Sequence, residues 1–298
     1  MKVVITGSLG NISRPLTKSL IEKGYPVTVI SSKQEKQKDI EALGAAAAIG
    51  ALEDTAFLTA TFTGADIVYC MVPPSYFYTG ADPMAFYRQI GSNYARSIRQ
   101  SGVKRVILLS SFGAELTRGT GFILGAHHVE NILDELSDVD ITIMRPTSFF
   151  YNLLGFIDVI KHTGTIASNY GGDDRIPFVA PADIAAAIVE EMEARPTHRK
   201  IRYVASEELT AHEVARILGE AIGKPDLQWH VISDGEMKKR LEAAGLPPVI
   251  VSNIVELNAS LHSGELAKGY ERNRPAKLGP TKLKDFAPAF AAAYHQKN

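Results

Sequence analysis

Met1-Lys-Val-Val-Ile-Thr-Gly-Ser-Leu-Gly-Asn-Ile-Ser13 opens the chain, and its reading decides the fold. Val3 to Ile5 is a short apolar run. Gly7 and Gly10 follow, and Leu16, Leu20 and Ile21 then recur at helical spacing. Strand, glycine turn and helix in this order build a cradle for a pyrophosphate. The first glycine allows the tight turn, and the second lets backbone N–H groups approach the phosphates at the positive end of the helix. The spacing is Gly-x-x-Gly-x-x-Ser, with Ser13 where a third glycine usually permits close helix–strand packing. Serine is small enough to stand there. A glycine pattern alone is not specific. At the head of an alternating β/α chain it predicts a dinucleotide site, with Thr6, Gly7, Ser8, Leu9, Gly10, Asn11 and Ile12 around the diphosphate.

The alternation continues. Strands are expected at Tyr25–Ile30, Ala46–Ile49, Ile67–Val72, Arg105–Leu109 and Ile141–Met144. Helices are expected at Gln34–Leu43, Asp54–Ala60, Met84–Gln100 and Phe122–Leu136. This rhythm predicts a doubly wound parallel α/β sheet with helices on both faces and ligands beyond the carboxyl ends of the strands. Leu52, Met71, Val72, Pro73 and Ser110 then border the dinucleotide. After residue 146 the rhythm loosens. An alanine-rich helix at Asp183–Met192 is expected to pack back on the core, and Ile201–Ala205 looks like another strand. Thr210–Glu213 and Ser233–Glu236 read as capping boxes of further helices. The expected organisation is a dinucleotide-binding domain at 1–150 and a smaller, mainly helical substrate lobe at 151–298, partly packed back on the core.

The 298 residues are 45% hydrophobic and 22% charged with a formal net charge of -1, an ordinary globular composition that argues against a dedicated nucleic-acid binder. The basic cluster Arg195, His198, Arg199, Lys200 and Arg202 reads as a solvated surface turn. Cys70 is the one cysteine, so an intrachain disulfide is excluded, and its apolar surroundings point to a buried thiol. A core strand is expected at the N-terminus in place of a secretion signal, and no apolar run has membrane-spanning length. A cytoplasmic location is expected.

The end of strand two indicates which dinucleotide is held. An NAD site usually places a carboxylate there for the ribose 2′-OH. Here Ile30-Ser31-Ser32-Lys33 offers hydroxyls and a cation, with no acid before Glu35. An acid would repel a 2′-phosphate, whereas these residues would accept one, so NADP(H) is expected ahead of NAD(H).

The chain resembles the NmrA-like group of atypical short-chain dehydrogenases/reductases. The residues that carry the likeness are Thr6-Gly7-Ser8-Leu9-Gly10, Gly64-Ala65-Asp66, Ser101-Gly102-Val103-Lys104-Arg105, Arg145-Pro146 and Asp183-Ile184-Ala185. The resemblance implies a Rossmann core with a C-terminal substrate lobe. It also implies either NADPH-dependent reduction of quinone- or azo-type acceptors or a dinucleotide-binding redox sensor without turnover. The family often has Gly-Asp after strand three, with the acid beside the adenine. This chain has Gly50-Ala51-Leu52, and only apolar contact is expected there. Ordinary members of the superfamily use Tyr-x-x-x-Lys, in which the lysine lowers the tyrosine pKa for proton exchange with substrate. If Glu130 is the acid that commonly follows that motif, the two positions are Phe122 and Ala126. No tyrosine in the chain has a lysine four residues later.

Substitutes are few. His127 and His128 lie on the same helix, and a histidine can donate a proton near neutrality. Adjacent helical residues diverge by about 100°, so at most one should face the cleft. Ser110 and Ser111 end strand five and are placed to bond substrate or to cap a loop, and Asn152 could orient a carbonyl. Aromatics follow three strands: Tyr76, Phe77 and Tyr78; Phe112; and Phe149, Phe150 and Tyr151. Sheet topology gathers these groups at one rim, which suits a flat or hydrophobic small molecule, with Tyr76, Tyr78, Phe112, Phe149, Tyr151 and Asn152 as its contacts. Zinc motifs, a nucleophile elbow and a phosphate loop ending Gly-Lys-Ser/Thr are absent from the sequence, and no metal is expected. The expected partner is thus a small molecule, with no nucleic acid or membrane, and a homodimer stays open. Hydride transfer to a planar acceptor is the leading expectation. A non-catalytic NADP(H) sensor acting through a protein partner is the alternative. Epimerase- or dehydratase-like chemistry is disfavoured because it relies on the missing tyrosine.

Overall fold

Val3, Val4 and Ile5 are wholly buried in the computed structural model, which describes residues 1–74 and 82–296. The chain runs β1 (Val3–Ile5), α1 (Ser13–Glu22), β2 (Val27–Ser31), α2 (Gln37–Ala42), β3 (Ala46–Ile49), α3 (Thr55–Phe62), β4 (Ile67–Cys70), α4 (Pro83–Ser101), β5 (Arg105–Leu109), α5 (Ile123–Asp134) and β6 (Asp140–Pro146). It continues through β7 (Ser148–Phe149), α6 (Ile157–Thr163), β8 (Ile166–Ser168), β9 (Arg175–Val179), α7 (Pro181–Glu193), β10 (Arg199–Val204) and β11 (Glu207–Thr210). The last elements are α8 (Ala211–Ala221), β12 (Trp229–Val231), α9 (Asp234–Ala243), α10 (Pro248–His262), α11 (Lys268–Arg272) and α12 (Leu283–His295).

Seven strands form one parallel sheet in the order β10-β6-β5-β4-β1-β2-β3. This is a doubly wound Rossmann-type α/β sheet, and β1 lies inside it. Alternation along the strands separates two cores. Val3, Ile5, Ile67 and Tyr69 pack with Leu16 and Leu20 of α1 and Ile184 and Ile188 of α7. Val4, Val68 and Cys70 turn the other way, against Leu58 of α3, Ile90 and Tyr94 of α4 and Leu133 of α5. The alanine-rich helix thus packs back on the sheet. A third core around Phe150, Phe178, Leu218, Trp229 and Phe290 joins the sheets β11-β9-β7 and β12-β8 to α8 and α12.

Strand ends differ from the expected ones where a backbone group has another partner. β2 starts at Val27 because the Tyr25 N–H turns back to Leu20 O of α1 (3.0 Å). β4 stops at Cys70 because the Met71 N–H leaves the ladder for Thr6 Oγ1 (2.9 Å). The basic cluster is also corrected: Arg199 to Arg202 lie in β10, the edge strand, instead of a solvated turn. Their charges are tied down, Arg199 on Asp134 (2.7 Å), Lys200 on Glu191 (2.8 Å) and Arg202 on Glu191 (2.9 Å).

One buried carboxylate fastens the C-terminal segment. Asp183, in the first turn of α7, is 7% exposed and accepts from Ser206 Oγ (2.6 Å), Thr281 N (3.1 Å) and Thr281 Oγ1 (2.8 Å). Its charge also complements the helix N-terminus. Replacing it leaves the buried Ser206 hydroxyl and two half-buried donors of Thr281 without this partner. Asp183→Ala should lower the unfolding free energy in urea titration by about 2–4 kcal/mol, and Asp183→Asn by less.

Candidate functional site

The turn after β1 is shaped by close approach. Gly7 has φ 89°, and a Cβ there would lie 2.9 Å from Met71 Cγ, Met71 Sδ and Ser13 Oγ. Ser8 follows with φ 54°, the one non-glycine residue of positive φ among the described residues. Such a conformation is uncommon for serine and costs about 1 kcal/mol or more. It is held by Ser8 N on Ile30 O (2.9 Å) and Ser8 Oγ on Ser31 Oγ (3.0 Å). Ser13 is 2% exposed and donates to Thr6 O (3.0 Å), tying the helix to the strand end. The Gly10 N–H closes the turn on Gly7 O (3.1 Å). Among the described residues, the N–H groups of Asn11 and Ile12 meet no backbone acceptor, which leaves two donors at the positive end of α1.

This turn forms one wall of a cavity of about 840 Å³. At one end stand Ser31, Ser32, Leu52 and Glu53, and in the middle Gly7, Ser8, Gly10, Asn11 and Ile12. Met71, Val72 and Pro73 continue from β4, Ser110 and Ser111 from β5, and Phe149 and Tyr151 from the chain after β6. Phe122 and Ala126 line it from α5, so an apolar surface occupies the positions that the resemblance matched to tyrosine and lysine. Among the described lining residues, Glu53 is the one with a formal charge, at the far end from Ser110.

Ser110 is held from behind. Its Oγ donates to Glu130 Oε1. Glu130 in turn takes a fork from Arg145, with Nε on Oε1 (3.0 Å) and Nη2 on Oε2 (2.6 Å). Arg145 Nη1 also reaches Glu115 Oε2 (2.9 Å) and Tyr203 OH (3.0 Å). Burial opposes the guanidinium charge, but the bonds and charge of Glu130 outweigh it and raise the Arg145 pKa. Because the Ser110 proton is committed to a carboxylate, the hydroxyl offers the cavity its lone pairs.

The NmrA-like family profile matches residues 1–286. This chain belongs to the NmrA-like family. It is 24% identical to the NAD(P)H azoreductase of Xenophilus azovorans over 301 residues, 98% of this chain and 99% of the relative. It is 27% identical to the festuclavine dehydrogenase of Aspergillus fumigatus over 304 residues, 96% and 97% of the two chains. The fold is shared with an NADPH-dependent quinone oxidoreductase of Escherichia coli complexed with NADPH, at TM-score 0.81, 20% identity and coverage of 96% and 99%. It is also shared with the Citrobacter triphenylmethane reductase complexed with NADP(H), at TM-score 0.78, 21% identity and coverage of 97% and 99%.

In this NmrA-like chain several expected site residues stand elsewhere. Thr6 lies behind the wall, with its hydroxyl on the Met71 N–H, and Leu9 and Lys33 do not line the cavity. Neither His127 nor His128 lines it. Phe122, Ile123, Ala126 and Val129 take the cavity face of α5, and the histidines fall on another face. His127 Nδ1 meets Ala114 O (2.8 Å) and Nε2 meets Asn131 Nδ2 (2.9 Å), which uses both ring nitrogens in the tautomer protonated at Nδ1. Burial, then Arg88 and His127, lower the His128 pKa. Phe112 is 3% exposed in a cluster with Tyr203, Leu266 and Tyr270, because its N–H is taken by Pro146 O (3.0 Å) and the ring turns away from the rim. Phe150 belongs to the third core, and Asn152 is exposed outside the lining. Tyr76, Phe77 and Tyr78 lie outside the described residues.

Among the lining residues that sequence reasoning missed, four stand out. Glu53 follows the apolar Gly50-Ala51-Leu52 and brings a carboxylate to a wall expected to be apolar; Asn93 Nδ2 fixes its loop on Leu52 O (3.1 Å). Phe86 and Tyr87 enter from α4, away from any strand end. Gly125 was the available signal. A glycine inside a helix costs about 1 kcal/mol and marks close approach, and a Cβ there would lie 2.3 Å from the Tyr87 ring. Tyr69, whose side chain points from β4, is the fourth. No group of three or more His, Cys, Asp or Glu able to hold a metal occurs among the described residues, and none of their helices is long and apolar enough to cross a membrane.

Phe149 and Tyr151 stack at 4.9 Å and 29°. Burial pushes the Tyr151 pKa up to about 12, against a smaller opposing effect of the Asn11 side chain that hydrogen-bonds it. Unfolded tyrosine ionises near pH 10. As the pH rises from about 10 to about 12, the unfolded chain releases this proton and the folded chain keeps it, so stability falls. Tyr151→Phe should remove that component. Urea unfolding followed by Trp229 fluorescence should show a shallower loss of stability across this window than in the wild type.

Proposed function

We propose that this chain is an NADPH-dependent reductase that passes hydride to a planar, apolar acceptor such as a quinone or an azo compound. The observation that carries this proposal is a single cavity joining the β1–α1 cradle to an aromatic end where Phe122 and Ala126 leave no tyrosine–lysine pair. The cavity volume suits a dinucleotide half-open to a second small molecule. Residues 1–150 would carry the dinucleotide and residues 151–298 would help close the acceptor end.

The residues fit that cofactor. Asn11 and Ile12, whose N–H groups meet no backbone acceptor among the described residues, would present them to the diphosphate, and the tight packing at Gly7 keeps the turn in place. Ser32 at the end of β2, with Lys33 beside it, would receive a 2′-phosphate where a carboxylate would repel it. When bound, the nicotinamide supplies the hydride. Ser110, its proton given to Glu130, would accept a hydrogen bond from the ligand. Phe122, Phe149 and Tyr151 would hold a flat acceptor and exclude water, and the neutral Tyr151 hydroxyl would bond the acceptor oxygen or nitrogen. Water would protonate the reduced product, so a dedicated acid is unnecessary.

The absence of a charged side chain near Ser110 among the described lining residues also favours a second reading, a NADP(H) sensor without turnover. Purified protein with NADPH and a panel of quinones and azo dyes should oxidise NADPH, seen as loss of 340 nm absorbance. Tight NADPH binding with no acceptor reduced would select the sensor instead. For cofactor choice, Ser32→Asp should weaken NADPH binding about tenfold or more and leave NADH binding equal or better, by fluorescence titration. An equal effect on both cofactors would remove the end of β2 from the discrimination.

A further inference from the structure

Tyr69 holds a buried hydroxyl that no described residue of the protein uses. Alternation in β4 sends Ile67 and Tyr69 to the α1 side of the sheet, and Tyr69 is wholly buried. Among the described residues its hydroxyl has no hydrogen-bond partner. Neighbouring polar groups at the same strand ends are satisfied. Thr6 Oγ1 accepts the Met71 N–H (2.9 Å), Ser13 Oγ donates to Thr6 O (3.0 Å), and the equally buried Tyr94 donates to Met71 O (2.6 Å). Buried hydroxyls without partners are rare and destabilising, and each calls for a ligand or a function. Tyr69 lines the same cavity as Tyr151, past the diphosphate turn and on the side of Ser110 and Phe149. Burial raises the Tyr69 pKa, so the group is a neutral donor.

We infer that the Tyr69 hydroxyl is a ligand contact, donating a hydrogen bond to a neutral oxygen on the nicotinamide half of the bound dinucleotide. The assignment rests on the dinucleotide reading above and adds a residue to it. It makes a demand that a packing role does not. The hydroxyl is a burden to the empty protein and an asset to the loaded one, so its removal must move stability and affinity in opposite senses.

Tyr69→Phe deletes one oxygen and keeps the ring. Two probes separate the halves of the dinucleotide: NADPH, and 2′,5′-ADP, which lacks the nicotinamide half. Calorimetric titration should show NADPH binding weakened about five- to tenfold, with 2′,5′-ADP binding unchanged. The ligand-free melting temperature should hold or rise by about 1–3 °C. Unchanged NADPH affinity in the variant would overturn the assignment. So would equal losses for both probes with a lowered ligand-free melting temperature, which would mark a structural role. Wild-type protein that binds neither probe would overturn the dinucleotide reading itself, and the contact with it.

Discussion

The distance between α1 and the end of β1 governs the whole carboxyl edge of the sheet. At Gly7 the backbone passes between Met71 and Ser13 with no room for a Cβ. Ser13 then ties the helix to Thr6 O, while the Thr6 hydroxyl draws the Met71 N–H out of the β4 ladder. Helix, first strand and fourth strand are thereby locked to one another within a few residues. Asn11 and Ile12, whose N–H groups meet no backbone acceptor among the described residues, line the cavity beside that lock. A larger residue at Gly7 would move Met71 and the turn together, and with them the cavity floor.

The first half of the chain was legible because most of its strands are short runs buried in the sheet and each is followed by a helix. Ala46–Ile49 and Arg105–Leu109 lie where their composition puts them, and Asp54 caps α3 through the Phe57 N–H (3.0 Å). The second half was less legible for a physical reason. β7, β8 and β12 are two or three residues long, too short to show a period, and pair with segments far along the chain. Thr210 and Glu213 do form the capping box that their spacing announces, since such a cap depends on local sequence alone.

The site divides along the same line. Backbone-built parts, the turn and the strand ends, follow from spacing, and Gly7, Gly10, Ser32, Met71 and Ser110 reach the cavity. Side-chain parts depend on how each helix is rotated, which adjacent residues cannot reveal. Gly125 against Tyr87 sets that rotation for α5, bringing Phe122 and Ala126 inward and turning His127 to Ala114 O. The buried Glu130–Arg145 fork fixes it from the other side of the same helix. Once the helix is clamped at both places, the chemistry of its inner face is apolar.

Edge strand β10 has a consequence outside the cavity. An unpaired strand edge can recruit a strand from another molecule, and a seven-stranded parallel sheet with Ile201 half exposed on its margin is open to that hazard. Arg199, Lys200 and Arg202 crowd this margin with cations whose partners sit on helices α5 and α7. An incoming strand would have to desolvate them and compete with those ion pairs. The cluster therefore raises the cost of adding a strand at this edge.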